Sequence, residues 1–180
     1  MPFHATPLPG VMLFEPHVWS DPRGYFFEAF NARTFAEAGI EATFVQDNQA
    51  RSVYGVLRGL HYQVGDAAQA KLVRVLEGEV LDVVVDLRPE SGTYGASYSV
   101  LLSADNKRQL FVPRGFAHGY AVLSQVAEFF YKCDNYYDRN KEGGIRYDDA
   151  QLEIDWRLPK KDVLLSEKDA RLPDFGEHRR

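Results

Sequence analysis

Three observations predict an all-β sandwich or barrel: many short apolar runs, turn residues between nearly all of them, and almost no helix-period patterning. Twelve Phe and ten Tyr among 180 residues reinforce this, because aromatic side chains suit the pleated surface of a strand. In chain order, Asn31 is placed to cap a short helix through Phe35 to Ala38, and Gly39 to stop it. Strand-length runs follow at 56–62, 72–76, 80–87, 97–102, 109–112, 120–123 and 129–137. Glu77-Gly78-Glu79 reads as a tight turn, and Ser91-Gly92 and Ala104-Asp105-Asn106 read as loops. Ser166 to Asp169 opens a second short helical turn. A rolled double sheet limits exposed strand edges.

Residues 1–180 form one domain on the usual size prior of about 100–200 residues. Composition is that of an ordinary globular chain, with 45% hydrophobic and 26% charged residues and a net charge of −5. An acidic balance disfavours nucleic acid as a partner, which needs a basic face against phosphates. It leaves room for a local basic pocket around one small anion. No apolar run approaches the 18 or so residues of a membrane span. The stretch 1–10 lacks a basic start and a long apolar segment, so a secretory signal is not expected. Cys133 is the single cysteine and has no intrachain disulfide partner. A cytoplasmic location is expected. There is no Walker loop and no Rossmann fingerprint.

Two histidines sit in turn-and-strand contexts, Arg58-Gly59-Leu60-His61-Tyr62 and Pro113-Arg114-Gly115-Phe116-Ala117-His118-Gly119. The second places His118 at the entry of a strand. Together the segments resemble the two motifs of a metal cupin with the ligand set incomplete. Gly55 precedes His61 at the right spacing, but Gln63 stands where the second His belongs, and no Glu follows at 64–67. Pro113, Gly115 and His118 meet the second motif. Two imidazoles fall short of the three protein ligands of a typical catalytic zinc site. The histidines therefore read as acid–base equipment, with no metal and no cofactor expected.

The resemblance sharpens along nearly the whole chain. Its carriers are Asp21 to Glu28, Phe44 to Asn48, Gly55 to Gln63, Gln69 to Val75, Asp82 to Arg88, Pro113 to Gly119, Tyr131-Lys132 with Tyr136-Tyr137, and Leu165 to Asp169. In this order they resemble the dTDP-4-dehydrorhamnose 3,5-epimerase family, metal-free cupins. The resemblance implies a cupin-type jelly-roll barrel with short peripheral helices. It implies a homodimer in which N-terminal strands cross to the partner. It also implies a dTDP-4-keto-6-deoxy sugar as substrate, epimerised at C3 and C5 in the making of dTDP-L-rhamnose. The ketone at C4 acidifies the neighbouring C–H bonds, so inversion needs a base on one face, an acid on the other and a donor at the enolate oxygen.

By resemblance His61 is the base, and Asp169 fixes its tautomer and stabilises the imidazolium. Tyr131 is the proton donor, suited by an intrinsic pKa near 10. Lys71 sits near the C4 oxygen, inside the apolar stretch 70–75, and His118 contacts substrate there. Arg23, Phe26, Glu28, Gln46, Asn48 and Arg58 match nucleotide-binding positions. Arg23 and Arg58 suit a diphosphate, and Gln46 and Asn48 share one face if they lie on a strand. Glu142 and Lys168 match positions near the ligand. Two departures from the family pattern, Ser91-Gly92-Thr93-Tyr94 and Gln49-Ala50-Arg51, bear on loop shape and nucleotide fit. The same proton transfers also serve a mono-epimerase and a 3,4-ketoisomerase. A metal-dependent cupin and a non-catalytic sugar-binding module are the readings from other classes.

Overall fold

The computed structural model describes residues 2–179. Strands β1 (Phe3–Ala5), β2 (Met12–Phe14), β3 (Trp19–Asp21) and β4 (Gly24–Phe26) lead into helix α1 (Ala32–Glu37). The remaining strands are β5 (Gln46–Val53), β6 (Leu57–Gln63), β7 (Lys71–Glu77), β8 (Glu79–Asp86), β9 (Ser97–Ser103), β10 (Gln109–Val112), β11 (Phe116–Val122), β12 (Val126–Cys133) and β13 (Glu142–Gly144). They form a sheet ordered β1-β2-β10-β7-β12-β5, a second ordered β13-β6-β11-β8-β9, and the hairpin β3-β4. These strands pair antiparallel throughout. From β5 to β8, and again from β9 to β12, the chain crosses to the other sheet at each step. That alternation makes the jelly roll that the family resemblance implies.

The period-two pattern decides what each face meets. On β8, Val80 and Val84 point between the sheets, while Leu81, Val83 and Val85 point outward. All five are fully buried, because the outer face of that sheet is covered by the chain beyond 145, including Leu152 and Trp156. Burying each of these aliphatic side chains contributes about 1.5–3 kcal/mol. The space between the sheets is filled by Val73, Val75, Phe116, Tyr120, Val122 and Phe129. A third cluster holds α1 through Phe35, packed against Phe14, Leu72 and Phe111 of the first sheet. Asn31 caps α1 as the sequence suggests, accepting from the amides of Arg33 and Thr34 at 3.0 and 3.4 Å.

Candidate active site

A cavity of about 450 Å3 opens between the two sheets. The first sheet supplies Gln46 and Asn48 from β5, Lys71 from β7, and Tyr131 and Cys133 from β12. The second supplies Arg58 and His61 from β6, His118 and Tyr120 from β11, and Glu142 from β13. Lys168 and Asp169 close one side from the chain beyond the sheets.

Arg58 and His61 are three apart, so strict alternation would send them to opposite faces. A bulge resolves this: Tyr120 pairs with Arg58 while His118 pairs with His61, so β6 carries one residue more than β11 across that step. Gly59 sits at the bulge with φ +127°, and a Cβ there would lie 2.6 Å from the Gly119 Cα. Only glycine tolerates both conditions. His61 Nε2 lies 2.5 Å from Asp169 Oδ1, a contact spanning 108 residues of sequence. Asp169 is buried, with its side chain 4% exposed, whereas the imidazole remains 26% exposed. Burial works to raise the Asp169 pKa, but the hydrogen bond and charge of His61, with help from Ser166 and Lys168, outweigh it and hold the carboxyl below its usual value. With Nε2 committed to the carboxylate, Nδ1 is the nitrogen left to take a proton.

Tyr131 faces the cavity from the other sheet. Burial pushes its phenol up to about 12, so it stays protonated through neutral pH. Lys71 Nζ lies 5.9 Å from the centroid of the Tyr131 ring. Burial lowers the Lys71 ammonium pKa, opposed by the charges of Cys133, Asp82 and Glu142. His118 is buried, and its Nε2 lies 2.9 Å from Asp82 Oδ2. Burial raises the Asp82 pKa, and His118 and Lys71 pull against that rise. The other Asp82 oxygen and the Tyr120 hydroxyl are buried with no hydrogen-bond partner among the described residues.

Around the mouth, Gln46 Nε2 donates to Asn48 Oδ1 at 3.0 Å, and Arg58 donates to Ser52 Oγ at 3.2 and 3.3 Å. Glu142 accepts from Lys168 at 2.7 Å and from the Tyr137 hydroxyl at 3.2 Å. Cys133 is a poor nucleophile here, since burial pushes its thiol up to about 11. Gln63 accepts the Asp138 amide at 2.9 Å and so anchors a loop. Among the described residues no cluster of three or more His, Cys, Asp or Glu is placed to hold a metal.

Ten of the residues singled out from the sequence converge on this cavity: His61, Tyr131, Asp169, Lys71, Gln46, Asn48, Arg58, His118, Glu142 and Lys168. Arg23, Phe26 and Glu28 do not. Arg23 and Phe26 belong to the exposed β3-β4 hairpin, which borders a separate cleft, and Glu28 comes just after it on the surface. Sequence reasoning counts Asp82 and Tyr137 among the family motifs but gives neither a role. A lone Asp inside the apolar run 80–87 is the available signal for Asp82, since a carboxylate in a buried strand needs a partner.

Fold and site together define a class: a jelly-roll enzyme of acid–base chemistry, with an imidazole–carboxylate pair on one wall and a phenol and an ammonium on the other. The family model described as dTDP-4-dehydrorhamnose 3,5-epimerase matches residues 5–177. The chain is 53% identical over 165 residues to dTDP-4-dehydrorhamnose 3,5-epimerase of Shigella flexneri, covering 91% of this chain and 90% of that one. The structure of dTDP-4-dehydrorhamnose 3,5-epimerase from Elizabethkingia anophelis superposes with a TM-score of 0.94 at 53% identity, covering 97% of this chain and 96% of that one. A dTDP-6-deoxy-D-glucose-3,5-epimerase from Legionella pneumophila, solved in complex with dTDP-4-keto-L-rhamnose, superposes at 0.93 with 48% identity, covering 97% and 93%. The chain belongs to the dTDP-4-dehydrorhamnose 3,5-epimerase family.

Proposed function

We propose that this chain converts dTDP-4-dehydro-6-deoxy-D-glucose to dTDP-4-dehydro-L-rhamnose by inverting C3 and C5. The observation that carries the reading is the placement of His61 and Tyr131 on facing sheets, because inversion requires removal and return of a proton from opposite sides of one carbon. His61 Nδ1 takes the proton from the carbon beside the ketone, and the C–H electron pair forms the enolate. Asp169 balances the imidazolium that results. Lys71 and His118 meet the enolate oxygen, a type of contact worth about 3–4 kcal/mol per donor. The Tyr131 hydroxyl then gives its proton to the opposite face of the carbon, and the ketone re-forms. The same steps serve the second carbon. Before the next event His61 loses its proton and the phenolate regains one, both through solvent. The acidity comes from the substrate ketone, so no metal or redox cofactor is called on.

Arg58, Gln46 and Asn48 flank the mouth where the diphosphate and nucleoside emerge, with Glu142 and Lys168 at the rim. Arg23, Phe26 and Glu28 complete the nucleotide site from the hairpin of a second copy in a homodimer. The exposed, aromatic and cationic character of that hairpin supports this placement, as does its separation from the cavity of its own chain. The net charge of −5 speaks against nucleic acid as a partner, and none of the helices among the described residues is long and apolar enough to cross a membrane. We place the reaction in the cytoplasm.

Turnover in heavy water tests the reading. Deuterium at both C3 and C5 of the product is the expected result. Deuterium at one carbon only assigns a mono-epimerase, and migration of the ketone to C3 assigns a ketoisomerase.

A further inference from the structure

His61 and Asp169 reach one another across 108 residues of sequence. His61 is fixed by its strand, β6. Asp169 opens a single 3-10 turn, Asp169–Arg171, and a single turn has little stiffness of its own. On the near side it is held by Ser166, whose Oγ accepts the Asp169 amide at 3.0 Å, and by Leu164, whose carbonyl accepts the Leu57 amide of β6 at 3.0 Å; the chain beyond the turn is its second support.

The segment after Asp169 is tied back to the strands that carry the site. Leu172 lies over Gly144, where a Cβ would come within 2.5 Å of its Cδ2. The Pro173 carbonyl accepts the Arg146 amide at 2.9 Å. Further on, Tyr62, the neighbour of His61, packs with the outer cluster and donates its hydroxyl to the Arg179 carbonyl at 2.6 Å. The Tyr62 ring crosses β13 at Gly143, where any side chain would meet it at 2.4 Å. The Arg179 guanidinium in turn donates to the carbonyl of Asn140 at 2.5 Å and reaches that of Glu142 at 3.4 Å. One strap thus joins the residue beside the base, the strand that carries Glu142 and the segment that carries Asp169. Beneath it lies a cleft of about 210 Å3 bordered by His61, Gly144, Leu172 and Arg179.

We propose that Tyr62 and Arg179 are positioning residues that hold Asp169 against His61 through the strap of residues 172–179. The inference rests on His61 being the base of the proposed epimerisation. Tyr62→Phe removes one oxygen atom and leaves the packing of the ring. Its expected effect is a fall in kcat of about tenfold, with KM within about twofold, because small misplacements far from the chemistry act on the reacting geometry. The low-field proton resonance of the His61–Asp169 hydrogen bond, recorded without substrate, weakens and moves upfield in the same variant. Arg179→Ala moves both readouts in the same direction, and Arg179→Lys recovers part of each. Unchanged kcat with an unchanged resonance overturns the proposal, as does a fall in kcat with the resonance intact. The resonance separates this inference from the reading beneath it. If His61→Asn still exchanges substrate protons while Tyr62→Phe shifts the resonance, His61 is not the base and the strap stands.

Discussion

The interior of the barrel and the hairpin of β3 and β4 carry the two ends of the proposed substrate site, and they are built on opposite terms. Inside the barrel, the functional groups are held from elsewhere in the chain: His61 by Asp169, His118 by Asp82, and Lys168 by Glu142. On the hairpin, Arg23 bonds to Asp21, two residues away, through the Nε and Nη2 nitrogens at 2.6–3.2 Å. Phe26 is 69% exposed and Tyr25 61% exposed, with Lys107 over the Tyr25 ring as its anchor to the body. Chemistry at the sugar needs fixed geometry, so the core of one chain provides it. In the proposed site the nucleotide end is shared with a projecting element whose apolar surface is exposed, and exposed aromatic patches of this kind mark association surfaces.

The strongest way to break the contrast is to remove the proposed base. His61→Asn is expected to cut proton exchange at C3 and C5 by about a thousandfold or more, toward the upper range for a positioned general base. Binding of dTDP, measured by calorimetry, stays within about threefold, because the nucleotide contacts lie elsewhere. Tyr131→Phe separates the two walls of the cavity. It is expected to lower product formation by about a hundredfold while leaving washout of the first proton less affected. Equal loss of both signals would make Tyr131 a packing residue and remove the two-wall mechanism.

The hairpin gives a smaller effect of a different kind. Arg23→Ala is expected to raise KM by about tenfold, the worth of one charge-assisted contact, with kcat little changed. Mixing sharpens this. If the hairpin serves the neighbouring copy, Arg23→Ala and His61→Asn chains mixed after unfolding form heterodimers with one intact site, which recovers activity at low substrate. No recovery on mixing would place Arg23 in the service of its own chain.

The same contrast explains what the sequence made legible. Strands whose two faces are both buried announce themselves as apolar runs: β8 and β10 match theirs almost to the residue. β5 has no such run, because its inward residues Gln46, Asn48 and Ala50 line the cavity and its outward ones are solvated. Function overrides the hydrophobic pattern there. β11 begins at Phe116, so His118 lies inside the strand and not at its entry. The Asp169 contact is invisible to local reasoning, since a carboxylate at a helical turn looks like a surface group until folding brings a histidine from 108 residues away. The family resemblance supplies it. Nothing in the sequence marks the β6 bulge that aims Arg58 and His61 the same way, because Gly59 reads equally well as a simple turn.

The smallest expected effect is on stability, and its sign is set by the direction of one titration. Asp169 has a carboxyl held below its unfolded value of about 3.9. Its contribution is complete above that value and is lost as pH falls through the folded value. Asp169→Asn removes a charged hydrogen bond worth on the order of 1–3 kcal/mol, so the urea midpoints of wild type and variant should differ most above about pH 5 and converge in more acidic solution. Asp21 is also held low, by the Arg23 hydrogen bonds, but it is exposed, and an ion pair in water contributes little. In a lone chain Asp21→Asn should leave the midpoint unmoved at every pH. A gap for Asp21→Asn as large as that for Asp169→Asn would mean the hairpin is packed against protein in solution. Repeating the measurement over a range of protein concentration then decides whether that protein is a second copy, because only an intermolecular cover makes the midpoint depend on concentration.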